Sequence, residues 1–146
     1  MKDEDLEAVV QVWHTAGRRA YTFIDSWQRF TLAQALRVFR QQIAPVCEVW
    51  VAEAEEGIIG YLALKGSYVD RLYVSPLQQR YGNGTALLKH AMERSPTGLE
   101  LHTHQKNTQA RAFYEKLGFV PVHYGISPPP ENEPDVEYQW RPLCAG

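Results

Sequence analysis

An α/β fold with a mixed central sheet flanked by helices is predicted by three features of the sequence. Segments of helical period alternate with short Val-, Ile- and aromatic-rich segments in the order ααβββαβαββ. The 146 residues suit one domain, 1–146, around one core, with no repeat or linker. A strand-like stretch, LYVSP (72–76), is followed by Gly82 and Gly84 and then by a helix-forming run.

Leu6, Val9, Val10 and Trp13 recur at i, i+3, i+4 and i+7 and predict an amphipathic helix over 3–16. Residues 17–30 are aromatic-rich and aperiodic. Thr31 and Gln34 form a capping box for a second helix that ends near Ala44-Pro45. CEVWVAEA (47–54), IIGYLALKG (58–66) and SYVDRLYV (67–74) read as strands, the first two joined by a Glu-Glu-Gly turn. A helix follows over 83–94, then the strand LELHTH (99–104). The helix 107–117 has Asn107 at its cap and Gly118 at its stop. FVPVHYGI (119–126) and VEYQWRP (136–142) complete the sheet, joined by a Pro-rich loop.

Composition excludes several classes. A net charge of −2 argues against non-specific nucleic-acid binding. No apolar run approaches the roughly 20 residues that span a bilayer. MKDEDLEAVV is acidic rather than a signal peptide, so a cytoplasmic protein is expected. Cys47 and Cys144 have neither metal-ligand nor redox spacing and read as free thiols, with no metal implied.

The glycine junction carries the chemistry. First-turn amides of a helix lack intrahelical partners and sit at the positive end of its dipole. Glycines remove the Cβ atoms that would hold a pyrophosphate away. The Walker A pattern is absent, and Leu87 stands where a dinucleotide fingerprint needs its third glycine. On these residues alone, a phosphate site and a mere turn both remain open.

The signal is longer than two glycines. Gln79-Arg80-Tyr81-Gly82-Asn83-Gly84 matches Gln/Arg-x-x-Gly-x-Gly/Ala, and NTQARAFYEKLGF (107–119) follows downstream. Together these blocks resemble the GNAT superfamily of acetyl-CoA-dependent N-acetyltransferases, and the chain is similar to its small bacterial members. The resemblance covers about 47–141 well and the N-terminal helices loosely. Family members usually begin with a strand; here it is short or missing, which leaves an edge open to pairing and a homodimer open.

The resemblance implies acetyl-CoA as co-substrate, entering where strands 67–74 and 99–104 splay. Main chain at Leu72, Tyr73 and Val74 would pair with the pantetheine arm. Gln79, Arg80, Tyr81, Gly82, Asn83, Gly84 and Thr85 would hold the pyrophosphate, and Asn107 the arm. Transfer to a primary amine requires a neutral amine and a stabilised thiolate. Tyr114 occupies the family's acid position. His102 lies twelve residues before it, at a strand position where one branch carries its base. Tyr68 and Asp70 occupy positions where another branch carries two histidines. The base is thus His102, Tyr68, Asp70 or an ordered water.

Tyr21, Phe23, Asp25 and Trp27 border the expected acceptor cleft as an aromatic wall with one anion. A small amine or amino-acid derivative is favoured over a protein terminus, with peptides still open. The rival is a non-catalytic acyl-CoA-binding module on the same fold.

Overall fold

The computed structural model of the chain describes residues 1–79 and 82–142. Helices α1 (Leu6–Ala20), α2 (Asp25–Arg29) and α3 (Leu32–Val38) precede the sheet, and α4 (Asn83–Arg94) and α5 (Thr108–Lys116) are interleaved with it. The strands are β1 (Glu48–Ala54), β2 (Gly57–Lys65), β3 (Tyr68–Val74), β4 (Leu99–His104), β5 (Val120–Ile126) and β6 (Pro134–Trp140). They lie in the order β1-β2-β3-β4-β6-β5, antiparallel except for β3 beside β4.

Local signals account for most boundaries. Thr31 and Gln34 close the expected capping box on α3, and Asn107 accepts from the Ala110 amide at the start of α5. The N-terminal region departs from expectation. α1 continues to Ala20 instead of stopping at 16, with Arg18 and Arg19 complementing the negative end of its dipole. The aperiodic segment contains the short helix α2. Its Trp27 packs over Gly17, where a Cβ would lie 2.3 Å from the indole.

Two layers of side chains cover the sheet. Tyr61 and Ala63 of β2 pack with α1 and α3, whereas Leu62 and Leu64 pack with α4 and α5. A bulge in β3 resets this alternation. Arg71 pairs with Ala63 and Val69 with Leu64, so Asp70 is the extra residue. Val69 therefore faces α4, while Arg71 and Tyr73 turn toward α1.

The sheet is nearly divided in its middle. Tyr68 and Glu100 are the one residue pair joining β3 to β4 among the described residues, supported by a 3.0 Å bond from the Glu100 amide to the Ser67 carbonyl. Beyond it the strands part, as the family resemblance implies. No strand precedes α1 among the described residues, also as expected, and the Met1 ammonium donates to the Val49 carbonyl on edge strand β1 at 2.9 Å.

Candidate active site

The parting of β3 and β4 opens a cleft of about 960 Å³. Leu72, Tyr73 and Val74 line it along β3, and Gln79, Gly82, Gly84 and Thr85 line it at the start of α4. Asn107 and Tyr114 close it from α5, and Asp70 and His102 line it from the two strands. These nine cofactor candidates and three catalytic candidates, Tyr114 being in both sets, thus share one space. Arg80 and Tyr81 lie outside the described residues, as does Cys144.

The glycine junction leaves the start of α4 open. Gly82 adopts φ +84°, a left-handed conformation that favours glycine, and a Cβ there would meet nothing within 4 Å. Gly82, the N-cap of α4, has no side chain to cap it, and among the described residues no side chain bonds its first-turn amides. Gln79 donates to the Val74 carbonyl at 3.0 Å and fixes where the loop leaves the strand. Asn83 stays out of the cleft; its side-chain amide donates to the Gln78 carbonyl at 3.1 Å. Gly84 has a second reason to be glycine, since a Cβ would come within 3.3 Å of the Phe113 ring.

Tyr114 projects from α5 through the opening. Its ring is buried against Phe113, Phe119 and Tyr138, and its hydroxyl has no hydrogen-bond partner among the described residues. Burial pushes its pKa well up, with Tyr73 and Tyr68 adding to the effect. The phenol therefore remains a neutral hydrogen-bond donor.

Tyr68, though outside the cleft lining, is tied to it. Its hydroxyl lies 2.8 Å from Nδ1 of His102, and Nε2 of that ring lies 3.6 Å from the Glu137 carboxylate. Burial, then the Asp70 charge, raises the Tyr68 pKa to about 12, which keeps the phenol protonated, and it donates when Nδ1 of His102 carries no proton. Glu137 was not among the sequence candidates. It faces His102 because β4 and β6 pair in that register.

The acceptor candidates divide. Tyr21 lines the cleft; burial pushes its phenol well above the ordinary value. Trp27 is instead core, its indole donating to Glu131 at 2.9 Å. Phe23 lies against the buried His104, and Asp25 is exposed and 4.0 Å from Arg29. None of these three lines the cleft. Among the described residues no group of three His, Cys, Asp or Glu side chains is placed to hold a metal.

The acetyltransferase (GNAT) domain family matches residues 45–121. The chain belongs to this family. It is 29% identical over 119 residues to the peptidyl-lysine N-acetyltransferase YjaB of Salmonella typhimurium, covering 81% of this chain and 79% of that protein. The solution structure of apo YjaB from Escherichia coli superposes with a TM-score of 0.79 at 22% identity, over 96% of this chain and 93% of that one. A streptothricin-acetyltransferase-like structure from Bacillus anthracis, solved with acetyl coenzyme A, gives a TM-score of 0.57 at 25% identity, over 66% and 63%.

The GNAT chain is thus an N-acetyltransferase that uses acetyl-CoA as co-substrate and transfers the acetyl group to an amine. No helix among its described residues is long and apolar enough to cross a membrane.

Proposed function

We propose that this GNAT enzyme acetylates the side-chain amine of lysine in a polypeptide by direct attack on acetyl-CoA. The observation that carries the reading is the alignment Tyr68–His102–Glu137 beside the cleft that holds Tyr114. A lysine-like amine, pKa ~10.4, is neutral in only about one molecule in 10³ at pH 7, so it depends on a base more than an α-amine does. A proton leaving the ammonium toward the Tyr68 oxygen displaces the phenolic proton onto Nδ1 of His102. The charge that forms on the ring then faces Glu137. Relatives named peptidyl-lysine N-acetyltransferases support the choice of acceptor.

In this reading the unpaired edge of β3 at Leu72, Tyr73 and Val74 receives the pantetheine arm. The amides from Gly82 to Thr85 hold the pyrophosphate. Asn107, whose carbonyl oxygen caps α5, turns its amide nitrogen to the arm. Tyr114 donates to the departing thiolate sulfur. Asp70 steadies the incoming ammonium, and Tyr21 forms part of the acceptor wall. Residues 1–146 act as one domain in the cytoplasm, without nucleic acid or membrane, and the two open sheet edges leave room for a second copy.

The test is incubation with acetyl-CoA and a panel of N-terminally blocked lysine peptides, matched α-amine peptides and small amines. Thiol release and peptide mass are followed. Lysine peptides are expected to gain one acetyl group and to outrun the other classes. Turnover confined to small amines or to α-amines would reject the reading.

A further inference from the structure

Arg71 has no part in the chemistry above, yet it lines the same cleft. It shares the face of β3 that Tyr73 presents to α1, where its guanidinium lies 4.8 Å from the centre of the Trp13 ring. Its Nε is buried without a hydrogen-bond partner, and among the described residues none of its nitrogens makes a hydrogen bond. The Asp70 carboxylate approaches Nε only to 3.6 Å. Two further buried donors nearby lack partners, Nε1 of Trp13 and the hydroxyl of Tyr61. Tyr61 stands two residues from Ala63, the cross-strand partner of Arg71.

Unpartnered buried donors are rare, and a guanidinium is always charged and offers five of them. Arg71 is the one of these three donors that lines the cleft, and with no hydrogen-bond acceptor among the described residues it awaits one from outside. The pyrophosphate is not that acceptor, because its seat at Gly82–Thr85 opens α4 on the opposite face of the sheet. The planar fork of arginine matches a carboxylate through two parallel bonds. Asp70 beside it offers the opposite charge, so the pair complements a molecule carrying both an ammonium and a carboxylate.

We propose that Arg71 binds a carboxylate on the acceptor, so that the preferred substrate is an amine with a carboxylate nearby. This rests on the acetyl-transfer reading and narrows it. In a polypeptide, two sources supply that group: the side chain of an acidic neighbour of the lysine, or the free α-carboxylate of a C-terminal lysine.

The experiment uses matched pairs of acceptors at saturating acetyl-CoA. One pair is a blocked lysine peptide with Glu beside the lysine against the same peptide with Gln. A second is a peptide ending in lysine against its C-terminal amide. A third is a short aminoalkanoate against the alkylamine of equal length. In the wild type, the carboxylate-bearing member of at least one pair is expected to have kcat/KM higher by about tenfold or more, as charged hydrogen bonds provide. The pair that shows it identifies the source. Arg71→Gln is expected to reduce the preference to within about twofold, and Arg71→Lys to retain part of it.

The readout is a ratio within one variant, so a general loss of activity does not mimic it. Calorimetric affinity for acetyl-CoA and the thermal midpoint verify that each variant is folded. The same pairs titrated into CoA-loaded protein report the preference without turnover. Equal behaviour of both members in every pair overturns the proposal, as does a preference that survives in folded Arg71→Gln. Lysine peptides that are turned over, with both members equal in all three pairs, sink this inference alone. An Arg71-dependent preference seen only with the aminoalkanoate sinks the polypeptide reading and leaves this one standing.

Discussion

The hydroxyl of Tyr68 and Nδ1 of His102 meet at 2.8 Å across the two strands that part to form the cleft. The contact sits beside the last rung joining β3 to β4, where the opening starts. The His102 ring thereby stands between Tyr68 and the Glu137 carboxylate.

If this contact takes the acceptor's proton, its loss depends on pH. His102→Gln and Tyr68→Phe should each lower kcat by about tenfold or more near neutrality. The deficit should shrink as pH rises toward the acceptor's own pKa, ~10.4 for a lysine side chain, because the amine then deprotonates unaided. Rate profiles of the variants against wild type check this. A deficit that stays constant across the range assigns the proton to another path.

If its hydroxyl serves the developing thiolate, Tyr114→Phe should lower kcat by about 10² or more while leaving acetyl-CoA affinity unchanged. Thiol release measures the first quantity and calorimetry the second. Unchanged turnover would remove Tyr114 as the donor.

The two glycines should behave differently. Gly82→Ala places a side chain at φ +84° in open space and is expected to cost about 1 kcal/mol of stability. Gly84→Ala gains helix propensity but presses a methyl group toward Phe113 at 3.3 Å, so stability should change little while acetyl-CoA binding weakens. Chemical denaturation and ligand titration separate the two effects.

Acid stability should report the loop carboxylate Glu131. The contact with His104 holds its pKa below the ordinary value of 4.5, against the opposing effect of burial. A depressed carboxylate contributes stability that is present above the unfolded value and lost as pH falls through the folded one. Glu131→Gln should therefore flatten the decline of stability below about pH 4.5. Denaturation midpoints at stepped pH give the comparison, and parallel curves for the two proteins would contradict it.

Gly17→Ala should destabilise by about 1–3 kcal/mol, because a Cβ there overlaps the Trp27 indole at 2.3 Å. Urea midpoints check it, with Gly17→Ala in a Trp27→Leu background as the control expected to relieve the clash.

What the sequence made legible is what short-range chemistry determines. Thr31 with Gln34, Asn107 at its cap and the strand LELHTH are settled within a few residues, so they read correctly from the chain alone. Glu137 did not, because its place beside His102 depends on the register of two strands far apart in sequence. The opposite facing of Val69 and Arg71 depends on a one-residue bulge that no local pattern announces. The aromatic run from Tyr21 reads as one wall, yet the missing Cβ of Gly17 draws Trp27 inward and leaves Tyr21 at the cleft.

The single rung at Tyr68 and Glu100 makes the sheet two three-stranded halves sharing one seam. A cofactor arm lying along β3 would then act as a splint, supplying main-chain bonds that the polypeptide itself omits. Affinity for the thioester would double as rigidity, so the ligand-free enzyme should exchange its β3 and β4 amides faster and yield sooner to proteases. In a starved cell, such a protein would register scarcity of its acyl donor as a shorter lifetime.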